Sequence, residues 1–231
     1  MGEKGMSTLA VYAWDKPGVA NFGDELGPDI LRRLGHNVVR ATPQTAEVAV
    51  CGSILEKLTV APRGCIVAGV GSMHGGAQRL PNVKHLDVRA LRGEMTRRAW
   101  NEAGKHEISD VSLGDPGILA GTLYETAPRQ AQRLGVVPHY IDNRAFSYAD
   151  VVIDVTAPPH EVIWEISKCD RILSSSLHGL IVAESLGIPA MRLPYHKVIG
   201  GDFKWVDYVT GANSSDQTTI MHNLIKVLEA L

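Results

Sequence analysis

Cysteine is scarce in this sequence: three residues in 231, at Cys51, Cys65 and Cys169, with no Cys-x-x-Cys pair and no Cys/His ligand spacing. So sparse and odd a count excludes a disulfide-stapled secreted scaffold, argues against structural zinc, and fits buried free thiols in a reducing compartment. Long hydrophobic runs are also missing. No stretch approaches the ~20 residues of a membrane-spanning helix, and MGEKGMSTLAVYAW at the start has no apolar core ahead of a small-residue cleavage site. Neither sign of charge dominates: Lys+Arg is 23 against Asp+Glu 25, a net charge of −2. Neither half is basic enough for nucleic acid or a polybasic membrane patch to be the main partner. Anionic small ligands remain open, because they need local donors rather than global charge. The reading places the protein in the cytoplasm, free or at the inner face of the membrane.

What is present is ordinary globular material, 45% hydrophobic and 21% charged, which excludes bulk disorder. Short apolar runs alternate with helical periods. Strands are expected at 8–13, 47–51, 65–69 and 85–91. Leu26, Ile30, Leu31 and Leu34 form one helix face closed by Gly35, and a second helix is expected over 93–103. A second series starts near residue 133, with strands at LGVVPHY, 150–156, 171–175 and 189–193 and helices over 160–168, 177–187 and 215–231. The polar segment 123–132 reads as a boundary. The expected fold class is therefore α/β, with two Rossmann-like domains (1–128 and 129–231) facing a cleft, where a ligand would sit at the carboxyl ends of the strands.

Five segments can carry chemistry. In 173–189 a strand ends in Ser174, Ser175 and Ser176 and a helix follows, so hydroxyls and free amides meet at a helix N-terminus, a ready anion site. His178 in its first turn can switch charge near neutral pH and donate a proton, whereas Glu184 lies too far around the helix to orient it. A serine cap and a packed histidine explain the same residues equally well. In Asn21-Phe22-Gly23-Asp24, Gly23 permits close backbone approach and Asp24 either caps the helix or accepts a proton from a sugar hydroxyl, capping being the commoner use. The glycine-rich 68–76 offers an amide nest or a plain turn, and matches neither a dinucleotide fingerprint nor a P-loop. Arg92, at a strand-to-helix junction, suits a bidentate clamp on carboxylate or phosphate. His139 ends a strand of the second half as a further acid or phosphate donor, with Asp142 behind it. Phe203, Trp205 and Tyr208 can stack on a sugar or fill a core.

NFGDELGP, ALRGEMT, LGDPG (113–117), VVPHYID (136–142), ILSSSLHGLIVAESLGIPA (172–190) and FKWVDY (203–208) occur in this order. Together they resemble the polysaccharide pyruvyl transferase family, the SSSLHGLIVAESLGIPA block being the most specific element. The resemblance implies a two-domain fold like the GT-B glycosyltransferases. It also implies transfer of pyruvate from phosphoenolpyruvate to two hydroxyls of one sugar, forming a cyclic ketal on a bacterial exopolysaccharide or cell-wall glycan, with an acceptor that is free or lipid-linked. No cofactor beyond that donor and no metal is implied. The family's favoured general acid maps to His178. Two residues earlier the family often has arginine, as R-L-H, where this chain has Ser176. Arg92, His139 or the three serines are then left to hold the donor, while Asp24 or Asn21 faces the sugar. Two other readings stay open: a GT-B-like glycosyltransferase using a nucleotide sugar, and a non-catalytic glycan- or phosphate-binding subunit.

Overall fold

The computed structural model describes residues 8–15, 18–80, 83–104 and 107–231. The part of the N-terminal reading that falls on residues 1–7 lies outside the described residues. Two parallel sheets organise the chain, as the doubly buried apolar runs predict. The first is built from β1 (Thr8–Tyr12), β2 (Asn37–Arg40), β3 (Val48–Val50), β4 (Ile66–Val70), β5 (Asp87–Leu91) and β6 (Ser112–Leu113). It carries α1 (Phe22–Arg33) and α2 (Glu94–Gly104), and a short α3 (Ala120–Leu123) follows. The second is built from β7 (Leu134–Val137), β8 (Val151–Val152), β9 (Arg171–Ser174) and β10 (Ala190–Arg192), with α4 (Pro159–Ser167) and α5 (Leu177–Ser185) between its strands. Then come α6 (Phe203–Ala212) and α7 (Gln217–Glu229).

Strand order fixes where a ligand can sit. The first sheet runs β2-β1-β3-β4-β5-β6 and the second β10-β9-β7-β8, every pairing parallel. In the first, the chain leaves β1 to one side for β2 and returns on the other as β3. In the second, it leaves β7 for β8 and returns as β9. At each reversal the connecting segments diverge, opening a crevice beyond the carboxyl ends of the two strands.

Several elements depart from the sequence pattern, among them β6 and α3, which at two and four residues are too short to show a period. The run 150–156 is a strand only at Val151–Val152, because the chain then turns toward the first half, where the Val155 carbonyl accepts from the Phe22 amide at 2.9 Å and caps the start of α1. The edge strand β2 is short and exposed, so it leaves little periodicity. The helix α6 was legible only as an aromatic motif. The boundary expected at 128 falls between the strands of the two sheets, and two helices from beyond it lie on the first half. α7 lies on β4, β5 and β6, and α6 lies on α2. The cause is the apolar stripe Ile220, Leu224 and Leu228, which is buried in one continuous core with Leu9, Val11 and Ala68 of the first sheet and Val137 and Ile172 of the second.

The other tie is polar. Arg92 and Asp207 are fully buried and paired at 2.8 Å. The guanidinium also donates to the Ser72 carbonyl at 2.7 Å and to the Ser53 hydroxyl, while Asp207 accepts from the Thr96 amide and hydroxyl, both at 2.7 Å. A buried pair so fully hydrogen-bonded holds geometry more than it adds stability, yet removing one partner strands the other's charge. Asp207→Ala should therefore lower the unfolding free energy by about 3–5 kcal/mol, read from urea titrations. A loss below about 1 kcal/mol would mean that the pair does not anchor α6.

Candidate functional site

α5 has no solvent face over most of its length: Leu177 through Ala183 are all buried. A helix apolar on every side must be surrounded, and here β9, β10, α1, α3 and α4 surround it. The fit requires residues without side chains. A Cβ on Gly121 would lie 2.2 Å from the Ser185 carbonyl oxygen, and one on Gly23 would lie 2.4 Å from Nδ1 of His178. Gly23 in the first turn of α1 is thus what lets the imidazole reach its place.

At the N-terminus of α5 the three serines divide their tasks. Ser174 Oγ shares its one proton between the carbonyls of Val137 and Ser176, at 2.9 and 2.7 Å, and Ser175 Oγ donates to Asp142 at 2.6 Å while accepting from the His139 amide at 2.9 Å. Both hydroxyls are spent on joining β7 to β9. Ser176 caps α5 by accepting from the Gly179 amide at 3.4 Å, and it alone of the three lines the cavity described below.

His178 sits at the meeting point of the halves. Its Nε2 lies 3.2 Å from Cys51 Sγ and 3.8 Å from Asp115 Oδ2. The Cys51 thiol lies 3.3 Å from Asp115 Oδ1, and among the described residues Oδ2 has no hydrogen-bond partner. Burial pushes the Cys51 thiol up, and the adjacent Asp115 carboxylate pushes it further, so it stays protonated and donates. Burial drives His178 down, against the upward pull of Asp115. These three donor atoms lie within 4.8 Å of one another, a sulfur, oxygen and nitrogen set of the kind that can hold a transition metal. Linear spacing gave no sign of it. Cys51 adopts a left-handed φ of 66°, rare for a residue with a side chain.

A cavity of about 490 Å³ opens where the two strand-order reversals face each other. After β1 come Asn21 and Asp24, after β3 Ser53 and Ile54, after β7 His139 and Tyr140, and after β9 Ser176 and His178. Lys204 from α6, Lys57, His74 and Arg79 also line it. Asn21 caps α1, accepting from the Gly23 amide, and its Nδ2 donates to Asp24 Oδ2 at 2.7 Å. Burial, opposed by that hydrogen bond, raises the Asp24 carboxyl to about 6. Burial, aided by the charge of Lys204, lowers His139 to about 4.

Of the residues singled out by sequence, the structure brings Asn21, Asp24, His139, Ser176 and His178 to one cavity and leaves others off its wall. Arg92 does clamp a carboxylate, but it is that of Asp207. Ser174 and Ser175 lie within the β7–β9 junction, and Gly23 touches the His178 ring. The glycine-rich turn binds an internal anion: Glu56 accepts from the Ser72 hydroxyl at 2.5 Å and from the amides of Met73 and His74 at 2.8 and 3.2 Å. Trp205 and Tyr208 are core residues packed with Leu177 and Ile181, and the Tyr208 hydroxyl donates to Glu184. Phe203 lies against Gly75. Sequence reasoning missed Lys204, whose one signal was a lone lysine among aromatics. It also missed the meeting of Cys51 with Asp115, which only the fold creates.

A family model described as polysaccharide pyruvyl transferase matches residues 81–197, just over half of the chain. The succinoglycan biosynthesis protein ExoV of Rhizobium meliloti is 26% identical over 208 residues, 85% of this chain and 63% of that protein. An uncharacterized protein of Acanthamoeba polyphaga mimivirus is 31% identical over 133 residues, 52% of this chain and 46% of that protein. The chain thus spans between about half and just under two thirds of the length of these curated relatives. No solved structure matches it.

The contact between Gly23 and His178 has a direct check. Gly23→Ala should displace the ring, shift its imidazole resonances in NMR and cost about 1–3 kcal/mol of stability through overpacking. Unchanged resonances would show that the close approach is not what holds His178.

Proposed function

The chain belongs to the polysaccharide pyruvyl transferase family, and from that premise we propose that it moves the pyruvyl unit of phosphoenolpyruvate onto two hydroxyls of one sugar in a bacterial glycan, closing a cyclic ketal and releasing phosphate. The observation that carries this reading is the convergence of Asn21 and Asp24 from one half with His139, Ser176 and His178 from the other on a single cavity. Two Rossmann-like sheets facing such a cavity suit a GT-B-like arrangement, with the sugar toward α1 and the donor toward α5.

Ketal formation begins with a proton to the methylene carbon of the donor, leaving an oxocarbenium-like centre at its second carbon. A sugar hydroxyl attacks that carbon and loses its proton to Asp24, the phosphate departs with the electrons of its C–O bond and leaves a second oxocarbenium-like centre, and the second hydroxyl closes the ring there, its proton returning to the imidazole that protonated the methylene. His178 supplies the first proton. At rest its burial favours the neutral ring, but a bound polyanion raises its affinity for a proton, and Asp115 stabilises the imidazolium. Asp24, with its carboxyl at about 6, is poised to accept the hydroxyl proton near neutrality. The Ser176 hydroxyl and the first amides of α5 face the phosphate, with the helix dipole behind them. Asn21 holds the Asp24 carboxylate toward the sugar.

The test is phosphate release from phosphoenolpyruvate in the presence of glycan acceptors, with formation of the ketal followed by NMR. His178→Ala should lose roughly 10²–10⁴-fold in turnover while still unfolding cooperatively. At saturating donor, where the bound polyanion keeps His178 protonated, the rate should rise with pH through about 6, because Asp24 acts only once its proton is gone. Wild-type turnover in His178→Ala removes its assignment, and a profile flat across that pH removes that of Asp24. Consumption of a nucleotide sugar instead would move the reading to glycosyl transfer.

A further inference from the structure

Lys204 stands in the first turn of α6, is only 6% exposed, and lines the cavity. Among the described residues its ammonium has no hydrogen-bond or ion-pair partner. Such a group is costly to bury, and proteins keep buried charges where something pairs with them. The other cations nearby are placed differently. Lys57 lies 4.9 Å from the centre of the Trp14 ring, Arg79 is exposed, and Arg92 is sealed behind the wall by Asp207, Ser53 and Ser72. The one acid whose charge supports Lys204 is Asp24, which is beyond ion-pair distance and already bonded to Asn21. Arg92 and Arg192 oppose it.

Nor is its position left to chance. Lys204 precedes Asp207 by one helical turn, so the sealed Arg92–Asp207 pair fixes the segment from which it projects. The same cavity wall carries Ser176 at the cap of α5. A buried lone cation and a helix N-terminus bearing a hydroxyl are complementary to a phosphate monoester, which brings several acceptor oxygens and close to two charges.

We propose that Lys204 is the binding residue for the phosphate group of the donor, held between its ammonium and the Ser176 end of α5. This rests on reading the cavity as a site for an enolpyruvyl phosphate. It makes a sealed internal ion pair, rather than an arginine in the wall itself, the support of the anion site. Burial lowers the lysine to about 8, so it is largely charged at pH 7, and an incoming anion completes its protonation.

Isothermal titration at pH 7 of wild type, Lys204→Met, Lys204→Arg and His178→Ala with phosphoenolpyruvate, inorganic phosphate and pyruvate separates the alternatives. Phosphoenolpyruvate and phosphate should bind wild type and His178→Ala, and both should weaken roughly 10- to 100-fold in Lys204→Met, with Lys204→Arg retaining part of the affinity. Pyruvate should be little affected. Without ligand, Lys204→Met should melt at a higher temperature than wild type, since an unpaired buried charge is gone; a merely structural lysine would give the opposite sign. Wild-type phosphate affinity in Lys204→Met, or a melting temperature lowered without ligand, overturns the assignment and leaves the pyruvyl-transfer reading standing. Loss of pyruvate binding alone would also overturn it, assigning the ammonium to the carboxylate. Failure of wild type to bind phosphoenolpyruvate or phosphate at all would remove the donor reading together with this inference.

Discussion

A helix without a solvent face governs this molecule. Because Leu177 through Ala183 are all buried, α5 can exist only when elements of both halves close around it. Its N-terminus is therefore delivered to the place where the halves meet. His178 is carried there by packing, held between the backbone of Gly23 and the Cys51–Asp115 pair. Few other residues could take that position, because the space allotted by Gly23 accepts an imidazole only if α1 carries no side chain opposite it.

Around that helix, topology and a buried ion pair do the rest. Each sheet reverses its strand order once, and parallel strands on either side of a reversal must send their following loops apart. The four loops concerned all reach the same cavity. α6 closes it from the side, and its place is set by Arg92 and Asp207, a pair whose hydrogen bonds are nearly all internal. The cavity thus has a fixed floor and wall, which suits chemistry that needs a proton donor, a base and an anion site in constant relation. Its charges are raised or lowered toward neutrality by burial, as the values of about 6 for Asp24 and about 8 for Lys204 show.

The sequence disclosed what local pattern controls. Both parallel series, most strand and helix cores, the cap role of Ser176 and the place of His178 in the first turn of α5 follow from apolar runs, turn residues and one long block. What it hid depends on contacts between distant segments. Arg92 looks like a ligand clamp because a strand-to-helix arginine has that geometry, and nothing local announces Asp207, 115 residues away. Ser174 and Ser175 look like anion donors until the β7–β9 junction is seen to use their hydroxyls. Glu56 fills the nest of the glycine-rich turn from a segment with no motif of its own. The aromatics of α6 obscure its periodicity, so nothing in the local pattern marks Lys204. The run 150–156 has strand composition, yet the first half's need for a cap on α1 takes it out of the sheet.

The most direct test of this account is a crystal structure of the protein soaked with phosphoenolpyruvate. The account predicts density in the cavity between the two strand-order reversals, with the phosphate between Lys204 and the Ser176 end of α5 and the methylene carbon toward His178. Density for the donor at the glycine-rich turn or elsewhere outside the cavity, with His178 and Lys204 untouched, would contradict it.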